Sequence, residues 1–270
     1  MNKYSFIVAS ALVCASASAF ADNIGGNVFG VLTVKSKAAD TIVAVPWCEC
    51  STSDDQAVAI SNIVKTANLT VGDTLYAVVG NPTNKVSTWT LESAGGVKYW
   101  NKTRTVSTPG EVGGGISADA AKIARGYAIV LHRQNPTTAG AANPFYLYGQ
   151  VGTQPYFTTT IVAGSSETPA YTLIAPPGTS EVDLLTVLSG MGDGDKIVTR
   201  NLNTGANRTY TYDATAAKWK YAAVKVTDGL PEFDVPTEAT SITVQPGSGA
   251  WYVSCNSSAP TITWTGVPTK

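Results

Sequence analysis

The second half of the chain repeats the first, and this feature limits the possible fold most strongly. Thr41-Ile-Val-Ala-Val-Pro46 returns as Thr172-Leu-Ile-Ala-Pro-Pro177, and Val71-Gly-Asp-Thr-Leu-Tyr76 returns as Asp193-Gly-Asp-Lys-Ile-Val198. Gly126-Tyr-Ala-Ile-Val-Leu131 returns as Gly249-Ala-Trp-Tyr-Val-Ser254. The pairs keep their order at separations of about 120–130 residues, a domain length rather than a solenoid period. The expected fold is all-β: two tandem, related, antiparallel β-sandwich-like modules over residues 22–136 and 145–270. A linker is expected at 137–144, because the stretch 135–144 is rich in Pro, Ala and Gly and lacks large apolar residues. Phe145-Tyr-Leu-Tyr148 then opens the second copy, as Val28-Phe-Gly-Val31 opens the first.

Strand signals dominate. Thr261-Ile-Thr-Trp-Thr265 alternates, while residues 41–45 are nearly all apolar or β-branched, as in a strand covered on both faces. Turn residues at 80–82, 94–96, 203–205 and 246–247 separate such runs. Residues 58–65 and 180–188 occupy matching places and fit a short helix or an irregular crossover. Each copy carries an aromatic hairpin, expected to pair Trp89 with Tyr99 and Trp100, and Tyr210 and Tyr212 with Trp219 and Tyr221. Ile42, Val43, Val45, Leu173 and Ile174 are the expected core.

The order of a Pro-ended apolar strand, an aromatic hairpin and a Gly-aromatic strand appears twice. It is carried by Ile42 to Pro46, Trp89 to Trp100 and Arg125-Gly-Tyr-Ala128, and again by Leu173 to Pro177, Tyr210 to Trp219 and Ser248-Gly-Ala-Trp251. This resembles a module of uncharacterised exported β-rich bacterial envelope proteins. The resemblance implies a location and a fold and brings no activity with it.

Residues 1–21 read as a secretory signal peptide. Lys3 precedes an apolar run over 6–13, and Ala19-Phe-Ala21 fits a small-x-small cleavage site before Asp22. The run falls short of the roughly 20 residues that span a bilayer, and no membrane span is expected in the mature chain. The expected location is the periplasm, the cell surface or the extracellular space. Charged residues make up 14% of the chain, below the roughly 25% usual for soluble domains. A net charge of −1 with no basic cluster offers nothing to nucleic acid or to anionic membranes.

The chemistry-bearing residues are few. Cys48, Cys50 and Cys255 remain after signal cleavage, and an oxidising compartment makes a disulfide from either of the first two to Cys255 an expectation to test. Cys48-Glu-Cys50 with His132, the sole histidine, weighs as a metal site but lacks a fourth ligand. Asp54-Asp55 and Asp193-Gly-Asp195 lack EF-hand spacing, and the glycines at 110–115 lack a strand–turn–helix context for phosphate. No Gly-x-Ser-x-Gly elbow accompanies His132. Neither catalytic residues nor a cofactor are expected. The expected role is a non-enzymatic structural, adhesive or surface-assembly protein of the bacterial envelope, whose partners are envelope or surface proteins or further copies of itself. Two alternatives stand beside it. One is a carbohydrate-binding protein with Trp89, Trp100 and Trp219 as its platform. The other is a glycan-active hydrolase built on paired carboxylates.

Overall fold

The computed structural model describes residues 22–24, 27–36, 39–45, 58–59, 63–64, 66, 68–78, 86–106, 122–135, 144–151, 156–227 and 230–265. The fold is all-β, and among the described residues every strand pairing is antiparallel. In chain order the first strands are β1 (Asp22–Ile24), β2 (Asn27–Val34), β3 (Asp40–Ala44), β4 (Val58–Ala59) and β5 (Thr74–Val78). There follow β6 (Val86–Ala94), β7 (Val97–Val106), β8 (Lys122–Ile123), β9 (Ala128–His132) and β10 (Phe145–Gln150). The second half supplies β11 (Phe157–Thr160), β12 (Ala170–Ile174), β13 (Val182–Asp183), β14 (Leu188–Ser189), β15 (Lys196–Arg200) and β16 (Asn207–Asp213). It ends with β17 (Lys218–Thr227), β18 (Leu230–Glu238), β19 (Thr243–Val244), β20 (Ala250–Ser254) and β21 (Thr261–Trp264).

Two larger sheets organise the chain. One has the order β3-β9-β5-β6-β7, the other β12-β20-β15-β16-β17-β18. Both place an early strand beside a late one, then the strand that follows a Gly-Asp turn, then a hairpin. The smaller sheets also correspond: β2 pairs β10 as β11 pairs β21, and β4 pairs β8 as β13 pairs β19. Registers agree as well. Thr41 faces Leu131, which faces Leu75; Thr172 faces Tyr252, which faces Ile197.

Alternation along the strands sends one face of each large sheet into a core. Val43, Leu75, Trp89, Leu91, Trp100, Ile129 and Leu131 pack with Leu32, Val34, Phe145 and Leu147 of the β2–β10 ribbon. Ile174, Ile197, Tyr210, Trp219 and Tyr252 pack with Ile262 and Trp264 of β21. The opposite faces of the two sheets meet through a third cluster, Ile42, Ala44 and Ala128 against Leu173 and Ala175.

Several expectations shift. Phe145-Tyr-Leu-Tyr148 belongs to β10, which pairs with β2 along its length and fills the first core. The first hairpin turns on Gly95 and Gly96, both at positive φ, as a two-residue turn requires. There Leu91, not Trp89, faces Trp100, because the two-residue turn pairs Ala94 with Val97 and the register runs unbroken from there to Trp89 opposite Lys102, shifting only beyond it, at Thr88. Tyr212 does face Trp219, and Tyr210 faces Tyr221. The segment near residue 180 is irregular, with a 3-10 turn at Leu184–Thr186.

Backbone also joins the two halves. The Ala44 amide donates to the Gly247 carbonyl at 3.0 Å, and the Ala175 amide donates to the Gly126 carbonyl at 3.0 Å. Bridges Val43↔Ser248 and Tyr127↔Ile174 flank these bonds. By register Ala44 matches Ala175 and Gly126 matches Gly247, so each contact mirrors the other, as in an isologous interface. Such close approach restricts side-chain size. A Cβ on Gly249 would lie 2.5 Å from the Ile174 carbonyl oxygen, 2.8 Å from Ile42 and 3.1 Å from Ala128. Gly249→Ala is expected to destabilise by about 1–3 kcal/mol through overpacking. Denaturant unfolding checks this, and unchanged stability would contradict so close a junction.

Candidate functional site

Each Gly-Asp turn buries its aspartate. Asp73 is 2% exposed and Asp195 is fully buried. Asp73 accepts from the Thr70 amide through Oδ2 (2.9 Å) and from the Gln134 amide through Oδ1 (3.0 Å). Asp195 accepts from the Gly192 amide (2.9 Å) and the Cys255 amide (2.7 Å) in the same way. It also receives the Asn256 side-chain amide at 2.6 Å and the Tyr252 hydroxyl at 2.7 Å. Donors therefore surround the Asp195 oxygens, an arrangement opposite to a calcium site, where they would face a cation. Asp193 accepts from the Ala214 amide at 2.9 Å. Asp73 and Asp195 thus clamp their turns to the end of the late strand, while Asp193 ties its turn to the one between β16 and β17. Among the described residues, no three His, Cys, Asp or Glu side chains gather as a metal-ligand set.

Of the candidate cysteines, Cys48 and Cys50 lie outside the described residues, as do Asp54, Asp55 and the glycines at 110–115. Cys255 follows β20, is partly buried and carries a free thiol. The hairpin tryptophans are core residues: Trp89 is 0%, Trp219 4% and Trp100 8% exposed. Burial removes this trio as a platform for a sugar, since a stacked ring must present a face to solvent. The Trp219 ring meets Tyr212 at 5.2 Å and Tyr252 at 6.2 Å between centroids.

His132 closes β9. Its Nδ1 lies 2.6 Å from Asp40 Oδ1, across a registered pair. Thr74 of β5 faces His132 on the other side, so carboxylate, imidazole and hydroxyl stand in one row. The row lacks the geometry of a nucleophile: Thr74 Oγ1 is buried and makes no hydrogen bond. Asp40 instead looks across to the second half. Arg200 Nη2 of β15 lies 3.6 Å from Asp40 Oδ2, an ion pair longer than a hydrogen bond. Arg200 Nη1 reaches Asn207 Oδ1 at 3.4 Å, while its Nε is buried without a partner. Nearby, the Ser36 hydroxyl donates to the Leu202 carbonyl at 3.2 Å. Asp40, Arg200 and Asn207 border a cleft of about 320 Å³ between the facing sheets, with Ile42, Leu173 and Trp251 among its walls. Sequence reading missed this group. Strand alternation places Asp40 on the face of Ile42, yet nothing linear tells that this face meets another sheet.

No protein family matches the chain, and no curated protein or solved structure is similar to it.

Burial, and then the bond to Asp195, push the Tyr252 phenol well above the usual tyrosine range. The folded state thus holds the protonated phenol. Its contribution is complete below the unfolded value of about 10 and is lost progressively as pH rises beyond it. Tyr252→Phe is expected to cost about 1–3 kcal/mol at neutral pH and to flatten the loss of stability above about pH 10. Parallel stability–pH curves for the two proteins would contradict this. Asp195→Asn, which sets amide hydrogens against existing donors, is expected to cost about 2–4 kcal/mol by denaturant unfolding.

Proposed function

We infer that the protein is an exported, non-enzymatic structural or adhesive component of the bacterial envelope, made of two copies of one β-sandwich-like module. Its partners are envelope or surface proteins or further copies of itself. The observation that carries the reading is the internal use of its conspicuous side chains. Both buried aspartates fix turns, and all three hairpin tryptophans fill cores. A scaffold needs such groups inside; a lectin or a hydrolase needs them at a surface. The shared strand order and the mirrored junction support duplication. The pairing of β10 with β2 favours a boundary at 152–155, later than the compositional linker. Among the described residues no helix is long and apolar enough to cross a membrane. The signal-like residues 1–21 support export.

Two experiments test these parts. Expressed in a bacterium, the chain should appear in the envelope or medium with an intact mass that begins near Asp22; a full-length product confined to the cytoplasm would contradict export. The fragment 22–151 should fold cooperatively. The fragment 22–136 should not, because it lacks the fully buried Phe145 and Leu147. Equal folding of the two would place the boundary back at the linker.

A further inference from the structure

The two large sheets differ at one edge. By strand order β7 corresponds to β17, but β17 has β18 beyond it, whereas β7 ends its sheet among the described residues. In the second half Tyr212 faces Trp219, and the Trp219 carbonyl accepts the Ala239 amide at 2.8 Å, on the side away from β16. In the first half Leu91 faces Trp100. The Leu91 amide and carbonyl both bond the turn at Gly72 and Asp73, away from β7. Leu91 and Trp100 thus form the pair type without mutual hydrogen bonds, and Trp100 turns its amide and carbonyl to the outer edge of the sheet. Lys98 and Lys102, two residues to either side, do the same. The sequence between β7 and β8 offers no counterpart of β18: residues 107–121 hold Pro109 and four glycines, which strands disfavour, and only two acidic residues.

Charge distinguishes the two outer strands. β7 carries Lys98, Lys102 and Arg104 and no acidic residue; β18 carries Glu232, Asp234 and Glu238 and no basic residue. Laid antiparallel with Lys98 opposite Glu238, the two strands also bring Lys102 opposite Asp234 and Arg104 opposite Glu232. One register therefore matches all three charges. The backbone agrees with it. Because the Ala239 amide points to β17, Glu238 and Pro236 turn their backbone groups outward. Lys98 with Glu238 and Trp100 with Pro236 then meet as hydrogen-bonded pairs, and the proline removes a single bond. Each strand also breaks its internal register at the same point of this alignment, β7 between Lys102 and Arg104 and β18 between Glu232 and Val235, so a bend in one meets a bend in the other. The second sheet already joins an acidic strand to a basic one, with Glu238 opposite Lys220 and Glu232 opposite Lys225. Pairing β7 with β7, or β18 with β18, would instead set like charges together.

We propose that the outer edge of β7 takes β18 of a second copy of this chain as an added antiparallel strand, with Lys98, Lys102 and Arg104 opposite Glu238, Asp234 and Glu232 of that copy. Each chain offers one edge of each kind, so the contact is heterologous and joins copies head to tail. The proposal rests on the reading of the chain as a structural component and fixes its partner as the chain itself. An exported protein that begins near Asp22 and stays monomeric would overturn the proposal and leave export standing.

The test uses the full mature chain. Its association is followed by analytical ultracentrifugation over a concentration series, at low and at high salt. Carbodiimide cross-linking of an equal mixture of isotope-labelled and unlabelled protein shows which strands meet. The mass is expected to grow with concentration and to fall with salt, since exposed ion pairs are screened. Cross-linked peptides should join Lys102 of one isotope to Asp234 of the other. Lys102→Glu and Asp234→Lys should each weaken association by about tenfold or more, as an attraction becomes a repulsion. An equal mixture of the two variants should recover it, because each altered edge then meets an opposite charge. Thermal unfolding identifies the temperature range in which both variants are folded, and association is read there. A wild-type chain that remains monomeric throughout the series would overturn the proposal. So would single variants that associate like wild type, a mixture that fails to recover, or cross-links that join β7 to residues 107–121 of its own chain.

Discussion

Close contact between the outer faces of two β-sheets is the constraint on which the rest of this structure depends. Ala44, Ala128, Ala175 and Gly249 lie where the faces meet, and Gly247 approaches Leu32 and Val34 so closely that a Cβ would overlap them. Small residues at these points let backbone groups pair across the junction, Ala44 with Gly247 and Ala175 with Gly126. Larger side chains would hold the sheets apart and leave those buried amides and carbonyls without partners. The sheets then have both faces covered near the junction, which explains the nearly unbroken apolar character of residues 41–45 and 172–177.

Rigidity at the far ends of the late strands comes from a different device. Asp73 and Asp195 each tie a tight turn to the chain just past the late strand, at Gln134 in one case and Cys255 in the other. The second clamp is the more elaborate, with Tyr252 and Asn256 as additional donors. A buried carboxylate surrounded by donors holds its loop in one arrangement, and its loss leaves several groups unpaired at once. The protein thus places charge inside to fix turns.

Much of this was legible in the sequence, and the failures have physical causes. Thr41-Ile-Val-Ala and Thr172-Leu-Ile-Ala each lie beside the late strand of a large sheet, Thr41 opposite Leu131 and Thr172 opposite Tyr252. The final strands were aligned two residues out: Gly126 corresponds to Gly247 and not to Gly249. Strand side chains repeat every two residues, so a two-residue slip preserves the inward and outward pattern and leaves no trace in hydropathy. The pairing of β10 with β2 was hidden because composition marks a Pro-, Ala- and Gly-rich stretch without telling which sheet the next strand joins. Trp89 was misplaced in its hairpin because partners there are set by the turn: two loop residues, Gly95 and Gly96, put Leu91 and not Trp89 opposite Trp100. The cleft was invisible for a further reason: Asp40 and Arg200 are 160 residues apart, and their meeting depends on how two complete sheets dock.

Amide hydrogen exchange at Ala44 and Ala175 tests the junction most directly. Both amides donate across it, to Gly247 and to Gly126 respectively, and they hold matching positions in their sheets. The account predicts that both exchange as slowly as core amides such as Leu131 and Tyr252, opening only with the whole fold. Fast exchange at Ala44 and Ala175 beside slow exchange in the cores would contradict it, because the two halves would then fold without the junction that this account places at the centre.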